Sequence, residues 1–488
     1  MNGTTPQAPG IPCPSALEEL RFPHSNANNF TAMSTTDCIN SRNFIGRCGK
    51  RLRPLGKNCA VLLAGLALFG VSATHAATIN GTGWKGTTDT TWSNASNWDS
   101  TGPAADERNL FFGNGYVSAG GTGSTTANND LTDFPGYRIT FEDTAETIDP
   151  AFTLTGNALT LYDFGGSAPR IENDSTSLQA FNLNGTLTLS GGVAGFAEAN
   201  PVNADLVFSA TTPIALTAAT QLRTYGNAGK TVTFNGIISG AGSSVAINTV
   251  SNVVYGAAHT YTGATYVNAA KLSFAAGGSA DGSTINILDT GGSQNATMEL
   301  APLTGGLALS SPIITRTGST GTAAIAALNT SGANTLSGAV TLNSSLTIST
   351  ATGGTLAVTG ALSSTGGGLL KTGGGTLNLD HAQQSYDALT VSAGTANVNG
   401  TLGTSPGLAV VTVAPDANLK FGTVSQTLSS LTIGAGATVV FTSGVASFGG
   451  GGKASGMAGG SVVPEPGTLA LVLFGGLTVL NRRRHATV

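Results

Sequence analysis

Residues 181–190 read Phe181-Asn182-Leu183-Asn184-Gly185-Thr186-Leu187-Thr188-Leu189-Ser190. Apolar side chains recur at every second position on either side of one glycine. That is the period of a strand with one face in a core, and the glycine marks a turn between two strands. The same alternation runs from Thr153-Leu154-Thr155 to Leu159-Thr160-Leu161. It returns at Val340-Thr341-Leu342, at Leu346-Thr347-Ile348, and at Leu431-Thr432-Ile433 followed by residues 438–441. From about residue 78 to 445 no helical period persists. The 488 residues include 69 Gly, and only 9% are charged. Thr and Val favour pleated backbone, and frequent Gly favours turns. A hydrophobic content of 40% is too high for a chain that stays disordered. The expectation is an all-β chain with many tight turns.

The alternation also repeats on a larger scale. Tyr261-Thr262-Gly263-Ala264-Thr265-Tyr266-Val267 matches Tyr386-Asp387-Ala388-Leu389-Thr390-Val391, and a weaker copy is Thr335-Leu336-Ser337-Gly338-Ala339-Val340-Thr341-Leu342. Ahead of the second copy stands Leu370-Lys371-Thr372-Gly373-Gly374-Gly375-Thr376-Leu377-Asn378-Leu379. This block resembles the autotransporter-associated β-strand repeat. Ile139-Thr140-Phe141 resembles the lead-in of that family, and Gln426-Thr427-Leu428-Ser429-Ser430-Leu431-Thr432-Ile433 resembles its late segment. The resemblance implies a right-handed parallel β-helix over residues 136–442. Physical reasoning agrees, since each coil would bury a small stack of Leu, Val, Ile and Phe and pair with its neighbours. With coils of about 20 residues stacked at about 4.8 Å, the rod would be on the order of 90 Å long. An antiparallel β-sandwich array is the alternative that the same pattern allows.

The two ends read as addresses. Arg47, Lys50, Arg51, Arg53 and Lys57 precede an apolar run over residues 59–71, and the small residues Ser72-Ala73-Thr74-His75-Ala76-Ala77 follow. A basic region, an apolar helix of that length and a small-residue exit form a secretory signal. Cleavage is expected between Ala76 and Ala77, making residues 1–76 a leader and signal peptide. The basic leader is long, and Met33 offers an alternative start.

At the other end stand Val463-Pro464-Glu465-Pro466, an apolar stretch over residues 468–480, and Arg482-Arg483-Arg484. The stretch suits a short hydrophobic helix whose arginines stop it at the cytoplasmic side. Its 13 residues fall short of the roughly 20 of a transmembrane helix. Residues 462–488 resemble the PEP-CTERM sorting signal of Gram-negative bacteria. That resemblance implies the secretion translocon and an exosortase as partners. It also implies transient anchoring in the inner membrane, cutting near the motif, release to the outer surface, and a link to exopolysaccharide and biofilm. Residues 443–461, Ser443-Gly444-Val445 through Gly460-Ser461, read as a flexible Gly/Ser linker.

All four cysteines, Cys13, Cys38, Cys48 and Cys59, precede residue 60, so a chain cut after Ala76 has no thiol. Residues 77–481 hold 11 Lys and Arg against 22 Asp and Glu, a net −11, which argues against nucleic-acid binding. The tryptophans Trp84, Trp92 and Trp98 cluster in residues 77–135, in a stretch that also resembles the opening of the repeat proteins. They read as a cap that hides the first strand edge. The sharper alternative is a carbohydrate platform of exposed rings. Asp89, Asp99 and Asp106 lie near them but match no calcium loop.

Little else suggests chemistry. His259 and His381 sit in polar turns without a second ligand at metal spacing, and the expectation is two surface histidines and no metal site. Gly229-Lys230-Thr231 imitates a phosphate loop, but Thr224 stands where its first glycine belongs. Glu142-Asp143 and Glu172 with Asp174 are acidic pairs of the kind a glycosidase uses. No C-terminal β-barrel pattern marks an autotransporter. The expectation is a secreted, non-catalytic structural or adhesive protein with no cofactor. The alternative is a carbohydrate-active β-helix enzyme, a lyase or glycosidase.

Overall fold

The computed structural model describes residues 80–464, apart from residues 101, 104–106, 133, 145–148, 250, 403–408, 444–445, 450–453 and 457–460. The signal segment with Ala76 and Ala77, Glu465, Pro466, the apolar stretch 468–480 and Arg482 to Arg484 lie outside the described residues. All described residues belong to one compact unit, Ala76–Val488. Among them no helix is long and apolar enough to cross a membrane.

The chain winds as a parallel β-solenoid of about 13 turns. Each typical turn lays one strand on each of three faces. The first face carries 14 strands, from Asn80–Trp84 to Thr401–Leu402. The second starts at Thr126–Asn129 and runs past Gln426–Ile433. The third is split into five strands, Pro135–Gly136 to Ile238–Ser239, and eight strands, Ala308–Leu309 to Ser461–Pro464. Between them, around residues 256–284, the third face is reduced to bridges such as Ala258 with Ser279. Among the described residues every strand pair is parallel, which excludes the antiparallel sandwich there. Partners on the second face are 19 to 27 residues apart, as Asn252 with Lys271 and Thr126 with Thr153 show. Most turns are therefore longer than the expected 20 residues, and at about 4.8 Å per turn the 13 turns span roughly 60 Å rather than 90 Å.

Alternation decides which side chains enter the core. In Leu187–Ser190 the two leucines are buried, and Thr188 and Ser190 point outward. Register then stacks like on like. Phe181 lies on Phe208 (ring centroids 4.8 Å apart) and Phe208 on Phe234 (5.1 Å), in nearly parallel planes. The column continues through Tyr255 and Phe274. Such offset stacks add to the burial each ring already contributes. One contiguous core runs from Trp84 to Phe441.

Lys371 breaks the rule that only apolar residues enter. It occupies the inward column Met298–Ile325–Ile348–Lys371–Val391–Val413, while Leu370 faces outward. Its stem continues the aliphatic stack. Its ammonium donates to the carbonyls of Thr372 (2.7 Å), Gly373 (2.8 Å) and Ala393 (3.1 Å). Burial lowers its pKa to about 8. The three carbonyls stabilise the charge and close the turn below. Lys371→Met keeps the stack and orphans those carbonyls, so it is expected to lower the unfolding free energy by roughly 1–3 kcal/mol in denaturant titration. An unchanged midpoint would mean that water replaces the ammonium without loss.

The repeat copies seen in the sequence do not occupy equivalent places. Thr265–Val267 lies on the first face, whereas the matching Ala388–Val391 lies on the second. The expected cap, residues 77–135, is part of the stack, because Glu107–Phe112 pairs with Arg138–Phe141 and Thr126–Asn129 pairs with Thr153–Gly156. The expected linker also differs. Ala446–Phe448 and Ala454–Gly456 both lie parallel to Gln426–Ile433, and Ser461–Pro464 pairs with Thr438–Phe441. Val463 and Pro464 are thus the outer strand of the third face, opposite Val440 and Phe441. The stack leaves free edges at its end, and short Val- and Ser-containing segments can satisfy them despite the glycines around them.

Close approach between turns fixes some glycines. A Cβ on Gly354 would lie 1.7 Å from the carbonyl oxygen of Asn329, in the turn below. That turn is stapled by the buried Asn329, whose amide donates to Gly332 O (2.9 Å) and Thr355 O (3.2 Å). Gly354→Ala is expected to cost roughly 1–3 kcal/mol, because the backbones must separate. The same titration checks it, and a neutral result would show that the turns slide freely.

Candidate site: a charged cleft on the first face

Register places one outward column along the first face: Asn109, Arg138, Arg170, Glu198, Arg223, Ala246, Tyr266 and Asn286. A second column runs Phe111, Thr140, Glu172, Asn200. Of the arginines in residues 77–481, Arg108, Arg138, Arg170 and Arg223 lie in first-face strands, and Arg316 directly follows Ile313–Thr315. The arginines of this span are gathered here, whereas lysines such as Lys271 and Lys371 lie in the second face. Arg223 lies over the Phe196 ring (3.9 Å to the centroid) and donates to Gln221. Arg316 stands 5.4 Å from the Tyr266 centroid and pairs with Asp289 at 3.6 Å.

Where three successive strands of this face meet their following turns, the surface opens into a cleft of about 390 Å³. Arg170, Glu172, Glu198, Asn200, Val202, Tyr225, Gly226 and Asn227 line it. Arg170 is the keystone. Its Nη1 donates to Glu172 Oε2 at 2.9 Å, and its Nε lies 2.6 Å from Glu198 Oε2. The Nε–H is not aimed along that line, so this second contact is an ion pair without an aligned hydrogen bond. Burial opposes the guanidinium charge, but Glu198 and Glu172 outweigh it and raise the arginine pKa. Glu198 also accepts from Asn200 Nδ2 (3.1 Å), and Asn200 Oδ1 accepts from the Tyr225 backbone N–H (3.0 Å).

Asp174 lies beside this cluster. Its backbone N–H bonds Phe141 O at 2.9 Å, so the turn holding Glu142 and Asp143 lies next to the turn holding Asp174. The two acidic pairs of the sequence therefore sit at one edge. Burial first, and then the neighbouring Glu172, raise the Asp174 pKa to about 6 against the opposing pull of Arg170. Asp174 thus holds a proton in mildly acidic solution.

No match to this chain was found among known protein families, curated proteins or solved structures.

The other sequence candidates fall elsewhere. Trp84, Trp92 and Trp98 are buried, not exposed. Trp98 meets Trp84 (5.0 Å) and Trp92 (5.8 Å) edge to face, and Phe112 packs against all three. Trp84 Nε1 donates to Ser124 O and Trp98 Nε1 to Trp92 O. A sugar cannot reach these rings, so the exposed-platform reading is corrected: the rings are taken up in closing the first turn. Asp89 accepts hydrogen bonds from Asn94, Thr91 and Asn97, and these hold its carboxyl well below the usual range. Asp99 accepts from Gly83 N–H and Thr82 Oγ1. Asp106 lies outside the described residues. Among those described, no three His, Cys, Asp or Glu side chains are placed to share a metal.

His259 is not the surface histidine expected. It is 3% exposed, and its Nδ1 accepts from the Ile238 backbone N–H at 2.9 Å. The Tyr255 ring stands 4.1 Å away, and the Nε2 has no hydrogen-bond partner. Burial drives its pKa down to about 3. Beside it runs a buried hydroxyl chain, Tyr255–Tyr261–Thr265–Ser283. His381 is partly exposed, with Nδ1 accepting from Gln383 N–H. Gly229, Lys230 and Thr231 lead into the strand Thr231–Phe234, with no helix following.

Proposed function

We propose that this is an exported, surface-sorted rod with a non-catalytic structural or adhesive role in an exopolysaccharide matrix. The rod is wound right-handed, as parallel crossovers almost always are. One observation carries the reading. An uninterrupted core joins the turns into a single stack, while four of the five arginines in residues 77–481 lie in the strands of one face, with Glu172 and Glu198 among them. A stack of that kind gains stability turn by turn without a cofactor or thiol. It offers a long surface whose residues recur at strand spacing. The leader around Ala76 and the Val463-Pro464-Glu465-Pro466 tail supply the route: translocon, transient inner-membrane anchoring, exosortase and release.

A carbohydrate-active enzyme is the second reading. It is favoured by Asp174 beside Glu172, since the Asp174 pKa is raised to about 6, the direction a general acid requires. Incubating the secreted protein with bacterial and plant polysaccharides separates the two. The proposal expects the polymers to be retained uncut in the protein fraction. Release of oligosaccharides, lost in Asp174→Asn, would overturn it in favour of the enzyme.

A further inference from the structure

We infer that the cleft around Arg170, Glu198 and Tyr225 is a binding site for a neutral polysaccharide chain lying along the solenoid axis. The inference rests on the adhesive reading above and names the surface that would perform it.

The lining chooses the ligand class. Its polar groups are two carboxylates, a guanidinium and the amides of Asn200 and Asn227. Such a set offers acceptors and donors side by side, which suits the vicinal hydroxyls of a sugar. Tyr225 is half-buried, with part of its ring left for the apolar face of a pyranose. Val202 is the only aliphatic side chain in the lining, too little for a lipid or an apolar peptide.

Charge excludes polyanions. Glu172 and Glu198 already occupy Arg170, and Asp174 and Asp143 stand behind them. A uronate or phosphate chain would meet more negative than positive charge there. The floor is preorganised, because Glu198 is only 7% exposed and is held by both Arg170 and Asn200. Preorganised groups lose little entropy on binding.

Direction follows from the strands. The cleft draws on Arg170–Asn173, on Phe196–Asn200 and on Tyr225 to Asn227, which follow Gln221–Thr224, so it crosses three successive rungs. Rungs lie about 4.8 Å apart, close to the length of one sugar unit in an extended chain. Beyond the cleft the same face presents Phe196 under Arg223 and Tyr266 beside Arg316. A chain that follows the axis would meet a ring or a planar guanidinium on leaving the cleft.

The test is calorimetric titration of the secreted protein with cellohexaose, mannohexaose and hexagalacturonate. Tyr225→Ala and Asn227→Ala are compared with Glu299→Gln, a control on the second face where Glu299 pairs with Lys271. The inference expects at least one neutral hexasaccharide to bind. It expects Tyr225→Ala to weaken that binding about tenfold or more, Asn227→Ala to weaken it several-fold, and the control to leave it unchanged. Tighter binding of hexagalacturonate, equal binding by all variants, or no binding of either neutral sugar would overturn it. Circular dichroism of each variant shows that a loss is not unfolding. If the sugars fail while the protein still co-sediments with native matrix, this site is wrong and the adhesive role stands. If both fail, both fall.

Discussion

Replacing Trp98 with alanine lowers the unfolding free energy by roughly 3–5 kcal/mol, the usual cost of emptying a large buried aromatic site. Trp98 is 1% exposed and touches Trp84, Trp92 and Phe112, so its removal leaves a void among large rings. It also abolishes the bond from its indole N–H to Trp92 O (3.0 Å). The position magnifies the effect. Among the described residues Glu107–Phe112 has only Asn80–Trp84 beyond it, and a solenoid loosens first where a terminal turn is weakened. Guanidinium titration followed by tryptophan fluorescence measures the change. A loss under about 1 kcal/mol would mean that the cluster decorates the end without closing it.

Acid is expected to weaken the fold through His259. Its folded pKa is about 3, because burial disfavours the imidazolium, while the unfolded side chain titrates near 6.5. Between those values the unfolded chain takes up a proton that the folded chain refuses. Stability therefore falls as pH falls through that window, by about 1.4 kcal/mol per pH unit. By pH 3 the accumulated loss is roughly 4–5 kcal/mol. His259→Phe keeps a ring beside Tyr255 and cannot titrate. It gives up the bond from Ile238 N–H, so it is weaker at neutral pH. Its stability should nevertheless decline less between pH 6.5 and 3 than that of the native protein. Carboxylates such as Asp89, held low by hydrogen bonds, also lose stability in acid, but they are common to both proteins. Parallel pH profiles would show that His259 is protonated in the folded state or reached by water.

The strands were legible because their signal is local. Phe181, Leu183, Leu187 and Leu189 announce their burial by alternation alone, and all four are inward. Glycine marks the turns for a reason that Gly354 shows, since any side chain there would strike the turn below. Register was not legible, because partners are 19 to 27 residues apart and no fixed period carries one turn onto the next. For that reason the cleft was missed. Glu172 and Asp174 stood out as a pair, but Arg170, Glu198 and Tyr225 lie on different rungs and converge only once the stack is formed. His259 misled for another reason. Its polarity argues for the surface, and only tertiary context, a bond from Ile238 N–H, admits it to the interior, as three carbonyls admit Lys371. The glycine-rich segment near residue 450 read as a linker by composition. Composition does not register the free strand edges at the end of a solenoid, which short segments there can pair with.

The exported, sorted rod is tested most directly by the mass of the protein recovered outside the cell. Intact-mass spectrometry of the secreted form is predicted to give a chain that begins at about Ala77 and ends near Pro466, with Ser461–Pro464 retained as the outer strand of the third face. A secreted chain that still carries Arg482, Arg483 and Arg484 would contradict the account.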